Sequence, residues 1–128
     1  MNTTLGVFSS INSKNKGTVS AKNTEIMGEV ILSKDAGGFV GFVERIWIET
    51  SSNEGSVSSD GGNAGGFFGT VEDDVTIEDS ANHGSVAAID GNACGFGFMD
   101  WGELEIINSQ NMGTVTSTNG KTYDQVGD

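Results

Sequence analysis

Apolar residues in this chain alternate over short runs and never persist. Val75 and Ile77 flank Thr76, Gly84 and Val86 flank Ser85, and polar stretches rich in Asn, Ser, Asp and Gly separate such runs. Alternation with period two marks strands, and no window carries apolar residues at the i, i+3, i+4, i+7 spacing of a helix. The chain reads as all-β.

The runs recur. Ile46 to Val57 reads Ile-Trp-Ile-Glu-Thr-Ser-Ser-Asn-Glu-Gly-Ser-Val, Val75 to Val86 reads Val-Thr-Ile-Glu-Asp-Ser-Ala-Asn-His-Gly-Ser-Val, and Leu104 to Val115 reads Leu-Glu-Ile-Ile-Asn-Ser-Gln-Asn-Met-Gly-Thr-Val. The spacing is 29 residues both times. A degenerate earlier copy is Ser13, Asn15, Gly17, Thr18 and Val19, and a second block recurs as Ala36-Gly37-Gly38-Phe39, Ala64-Gly65-Gly66-Phe67 and Ala93-Cys94-Gly95-Phe96. Residues 1–128 thus form one domain of repeats at approximately 10–45, 46–74, 75–103 and 104–128. Asn15 to Asn53 spans 38 residues, and the surplus falls in an expanded loop over 20–35. There Met27-Gly28-Glu29-Val30 resembles a worn Gly-x-Val strand, so the loop is either an enlarged turn or a partial extra strand.

Units this short cannot bury an apolar face alone and must stack. The pattern predicts a parallel β-solenoid of about four coils, each with three short strands typified by Val75/Ile77, Gly84/Val86 and Gly66/Phe67, rising about 4.8 Å per coil. Stacking places equivalent residues above one another. Ile48, Ile77 and Ile106 then form an aliphatic ladder, as do Val19, Val57, Val86 and Val115. Phe39, Phe67 and Phe96 form an aromatic column. Asn15, Asn53, Asn82 and Asn111 form a carboxamide ladder at a bend, and Gly17, Gly55, Gly84 and Gly113 supply positive φ or close backbone approach beside it.

The Gly37-Gly38-Phe39-Val40-Gly41 and Gly65-Gly66-Phe67-Phe68-Gly69 blocks, with the Ile48–Val57, Ile77–Val86 and Ile106–Val115 blocks, resemble GLUG-motif repeats over roughly residues 10–117. That resemblance implies a β-solenoid repeat of large secreted or cell-surface proteins, adhesin-like in bacteria, and brings no catalytic residues. Phe replaces the usual Leu of the first block, and Cys94-Gly95 breaks its Gly-Gly pair.

Composition narrows the functional classes. The chain has 20 glycines, no proline, one cysteine and a formal net charge of −12. Proline would remove a donor from a doubly paired strand, so its absence suits a molecule made of ladders. One cysteine cannot build an internal disulfide. The negative charge opposes nucleic-acid phosphate and anionic membrane surfaces. No 18-residue apolar run exists to insert in a membrane, and the start has no signal-peptide pattern, so an export signal is expected elsewhere. The charge is also directional. Residues 1–45 carry five basic and four acidic side chains, whereas residues 46–128 carry one basic and fourteen acidic.

Candidate chemistry is sparse. His83 lies near Asp79 and Ser80, but it fills the variable slot of Lys16, Glu54 and Met112 and reads as an exposed turn residue rather than a triad member. Cys94 fills the small slot of Gly37 and Gly65 and reads as a buried apolar thiol. Stacking sets Glu44 over Asp73, Glu49 over Glu78, and Arg45, Asp74 and Glu103 in one column. Such carboxylates are either solvated or bridged by a cation, which makes Asp73, Asp74 and Glu103 a candidate Ca²⁺ set with no other cofactor expected. Trp47, between Ile46 and Ile48, points outward by alternation, and with Asp74 and Glu103 it forms a candidate binding strip for glycan or protein.

Together these features predict a non-enzymatic structural repeat module of an extracellular or surface protein. Its expected partners are neighbouring repeats or further copies of itself. No capping helix is evident, so the chain is expected either to be part of a longer array or to stack head-to-tail into filaments. The alternative is an adhesin-type module that uses an outward face.

Overall fold

The computed structural model describes residues 7–22, 24–26, 29–31 and 35–128. They form a parallel β-solenoid whose coils repeat every 29 residues from Ile46 onward. Five four-stranded sheets run along its length. The first face comprises Val7–Ile11, Arg45–Glu49, Val75–Glu78 and Leu104–Ile107. The second comprises Lys14–Asn15, Ser52–Asn53, Ala81–Asn82 and Gln110–Asn111, and the third Val19–Ala21, Val57–Ser59, Val86–Ala88 and Val115–Ser117. The fourth comprises Ala36–Gly37, Ala64–Gly65, Ala93–Cys94 and Thr122–Tyr123, and the fifth Val40–Val43, Phe68–Val71, Gly97–Met99 and Val126–Gly127. Each face takes one strand from each of coils 1 to 4.

Each coil therefore has five strand segments where the sequence pattern predicts three. The two extra segments are only two residues long, too short to show an alternation. The Asn ladder lies on one of them instead of on a bend. Conversely Gly66-Phe67, expected as a strand, forms the corner between Ala64–Gly65 and Phe68–Val71. In the expanded loop, Thr24–Ile26 pairs antiparallel with Glu29–Ile31, so this segment is a hairpin inserted between the third and fourth faces of coil 1. Met27 and Gly28 lie outside the described residues.

The interior divides into two packed clusters. The larger joins the first and fifth faces through Ile46, Ile48, Val75, Ile77, Val40, Val43, Phe68 and Val71, with the Phe column at its corner. The smaller joins the third and fourth faces through Val57, Val86, Ala36, Ala64 and Ala93. Phe39 and Phe67 stack with ring centroids 5.6 Å apart, and Phe67 and Phe96 with centroids 5.0 Å apart, both pairs 18° from coplanar. Each such pair contributes about 0.5–1.5 kcal/mol beyond its buried area.

Polar ladders run between these clusters. Asn15 Nδ2 donates to Asn53 Oδ1 (2.7 Å), Asn53 Nδ2 to Asn82 Oδ1 (2.8 Å), and Asn82 Nδ2 to Asn111 Oδ1 (2.8 Å). Every one of these amides also donates to the carbonyl two residues on, from Gly17, Gly55, Gly84 or Gly113. Ser51 and Ser80 do parallel work: each hydroxyl donates to the carbonyl two residues back, and the Ser80 and Ser109 hydroxyls accept from the Ser51 and Ser80 amides of the preceding coil. Among the described residues no buried side-chain polar atom is left without a partner. That satisfaction is what permits Asn53 and Asn82 to be fully buried.

Glycine serves close approach here and not positive φ. A Cβ on Gly55, Gly84 or Gly113 would run into the carbonyl oxygen of Gly17, Gly55 or Gly84, one coil earlier. The left-handed positions fall elsewhere, on Asn12, Thr50, Asp79 and Asn108, with φ between 47° and 53°.

Candidate functional site

A concave, charged region of the surface lies where the fifth face turns into the first. Glu44, Glu72, Asp73, Asp100 and Trp101 line an open concavity of about 450 Å³. Trp101 is 77% exposed there. Arg45 reaches across the corner: its guanidinium bonds Glu44 Oε1 at 3.0 Å and Asp73 Oδ2 at 3.0 Å. The stacking of Glu44 over Asp73 is thus relieved by a protein cation. The neighbouring Asp74 uses Oδ1 to accept the Glu103 backbone N–H at 2.8 Å. Gly102, at φ 85°, allows this close packing, since a Cβ there would meet both aspartates.

These commitments bear on the candidate Ca²⁺ set. Asp73 is turned to Arg45 and Asp74 to a backbone amide, and the described residues hold no group of three or more His, Cys, Asp or Glu side chains arranged for a metal ion. The set does not fit a calcium site, which needs six to eight converging oxygens.

Trp47 is outward, as alternation requires, and 47% exposed. Ser9, Thr76 and Glu105 occupy its column in the other coils. Asp74 and Glu103 precede those column residues by two positions, so the proposed strip shares one outer face. Only Asp74 and Glu103 are tied to one another within it.

Ser80 is buried, with its hydroxyl donated to Glu78 O at 2.7 Å, while His83 is exposed. Cys94 is fully buried, and burial pushes its thiol up to about 12, far from a reactive thiolate. Lys14 Nζ lies 2.9 Å from Glu54 Oε2, and this hydrogen bond holds the Glu54 carboxyl below its usual range.

One feature escaped the sequence pattern. The left-handed corner residues stack one per coil, and Asn108 Nδ2 donates to Asp79 Oδ1 at 2.7 Å. Thr50, Asp79 and Asn108, with Ser52 and Gln110, border an open groove of about 400 Å³. The available signal was Asn or Asp at three of the four positions, the types that best tolerate left-handed backbone. Compared with protein-family models, curated proteins and solved structures, the chain matches none.

Proposed function

We propose that the chain is a structural module, a rigid solenoid segment of an extracellular or surface protein, with no catalytic role of its own. The observation that carries this reading is where the repeated polar side chains go. Asn, Ser and Arg groups that elsewhere would build a site are here spent on carbonyls, amides and carboxylates of adjacent coils. The GLUG-like pattern supports the surface setting. Hydrolysis or lysis of any surface polysaccharide by the purified chain would sink the non-catalytic reading.

Head-to-tail stacking belongs to this proposal and faces a definite steric condition. A copy placed in register on coil 4 would set its Gly17 over Gly113, where the absent Cβ leaves room. The opposite corner is less permissive. A Cβ on Gly38, Gly66 or Gly95 would strike the carbonyl of the next coil, at Gly66, Gly95 or Asp124, and coil 4 carries Asp124 in that same slot. Asp124→Gly should therefore lengthen assemblies seen by light scattering and electron microscopy, and Gly17→Ala should abolish them. Monomers for both the parent chain and Asp124→Gly at every ionic strength would rule stacking out.

The exposed Trp47 column favours the second reading, an adhesin-type module. Trp47→Ala should then lower binding to a glycan or protein ligand found by array screening, without changing the unfolding midpoint.

A further inference from the structure

The corner between the fourth and fifth faces changes chemistry at coil 4. Coils 1 to 3 carry Gly38-Phe39, Gly66-Phe67 and Gly95-Phe96 there, and coil 4 carries Asp124-Gln125. Pairing fixes the correspondence: Phe96 N–H donates to Gln125 O, and Ala93 and Cys94 lie beside Thr122 and Tyr123. The absent side chain of each glycine leaves space that the next coil fills. A Cβ on Gly38, Gly66 or Gly95 would strike the next coil twice, at a backbone carbonyl and at its ladder asparagine, Asn53, Asn82 or Asn111. Asp124 puts a Cβ and a carboxylate into that space beyond coil 4.

Both side chains also stand in for a further coil's bonds. The carbonyls of Ser13, Ser51 and Ser80 accept the backbone N–H of Ser52, Ala81 and Gln110 in the next coil. Ser109 O, the fourth of the series, accepts from Gln125 Nε2 of its own coil at 3.3 Å. Asn15, Asn53 and Asn82 donate to the next asparagine, whereas Asn111 Nδ2 has Asp124 Oδ1 at 3.5 Å. We propose that Asp124 and Gln125 form a built-in stop that refuses a fifth coil and so limits head-to-tail assembly; its role in assembly rests on the stacking proposed above. A coil seated there would displace both contacts, take the exposed Asp124 carboxylate out of water and lay a phenyl ring on an amide. Stacked repeats rely on units with a polar outer face to stay soluble. The stop is confined to this corner. Ile106 and Val115 continue the inward slots of Ile77 and Val86, so restoring Gly-Phe at positions 124 and 125 reopens the end.

A fifth coil supplied in cis tests the stop apart from stacking. Repeating residues 99–127 after Gly127, in place of Asp128, adds a second coil 4 in frame, and hydrogen exchange with mass spectrometry reads its protection. With Asp124 and Gln125 kept in the first copy, the added coil should exchange like unfolded chain. With Asp124→Gly and Gln125→Phe together in that copy, its exchange should slow severalfold, while protection of coils 2 and 3 confirms folding in both. In trans, light scattering should find the parent chain in short species and the double variant in long filaments. Equal exchange of the added coil with and without the two substitutions would overturn the stop. Parent filaments as long as those of the double variant would also overturn it, while leaving stacking intact. Protection of the added coil only in the double variant, with no filaments, would uphold the stop and remove stacking.

Discussion

Coil 1 and coil 4 are both terminal among the described coils, yet they are not equivalent ends. The slot filled by Ile46 and Val75, 3% and 1% exposed, is filled in coil 4 by Leu104 at 46%. In coil 1, by contrast, Val40 and Val43 are fully buried. The steric rules differ as well. Gly113 in coil 4 is confined by the Gly84 carbonyl, whereas the nearest atom to a Cβ on Gly17 is Asn15 Oδ1 at 3.8 Å. A parallel stack has a direction, so each slot faces one neighbour only, and identical residues at the two ends have different tolerances.

The sharpest way to break this comparison is to put alanine in the same slot at both ends. Gly113→Ala drives a methyl into backbone that cannot yield and should cost about 3 kcal/mol, seen as a lowered urea midpoint or loss of coil 4 protection in hydrogen exchange. Gly17→Ala has room and no positive φ to oppose it, and should be neutral or stabilise by about 0.5 kcal/mol through the unfolded chain. Equal losses at both positions would refute the directional account.

The Asn ladder gives the next contrast. Asn82 is fully buried, accepts from Asn53 and donates to both Asn111 and Gly84, so Asn82→Ala strips buried donors and acceptors of partners and should cost about 2–3 kcal/mol. Asn111 is only partly buried, and solvent can replace its bonds. Asn111→Ala should cost about 1 kcal/mol by the same denaturation measurement.

The 29-residue period disclosed the ladders, because in-register stacking turns sequence identity directly into contact. Asn53–Asn82, Asn82–Asn111 and Phe67–Phe96 stand 29 residues apart as the period requires, whereas Asn15–Asn53 and Phe39–Phe67, 38 and 28 apart, are found through the recurring motifs around them. The period says nothing of the outline of one coil, which is why Gly66-Phe67 became a corner and Ser52–Asn53 a strand. Nor does it give side-chain direction at charged positions. Arg45 was placed in a column with Asp74, but its long side chain reaches Asp73 and Glu44 instead. The left-handed corner stayed hidden because Thr50, a β-branched residue, broke its Asn/Asp signature.

That corner supplies a smaller prediction. Left-handed backbone disfavours residues other than Gly, Asn and Asp, by about 1–2 kcal/mol. Coils 1, 3 and 4 use Asn12, Asp79 and Asn108, while coil 2 carries Thr50 at φ 48°. Thr50→Asn should stabilise the chain by about 1 kcal/mol, measured as a raised midpoint. The gain should leave the terminal coils' exchange with solvent unchanged, since local fraying at either end does not pass through coil 2.

The smallest effect separates the ends by pH. Coil 1 is pinned to coil 2 by Lys14 and Glu54, whereas coil 4 carries Gln110 and Met112 in the corresponding slots, which cannot form an ion pair. The Lys14 hydrogen bond, foremost among the influences on Glu54, holds its carboxyl below the ordinary value of 4.5. A folded-state value lower than the unfolded one means the pair stabilises the fold fully above that ordinary value. The contribution fades as pH falls through 4.5 and vanishes below the folded value. Mild acid should therefore quicken amide exchange on Lys14–Asn15 relative to Gln110–Asn111. Lys14→Gln should remove that difference and return the Glu54 titration, followed by carboxyl NMR, toward the ordinary range. The pair is exposed and its effect should shrink in high salt. An acid response that persists in Lys14→Gln would mean that coil 1 is held by something other than this ion pair.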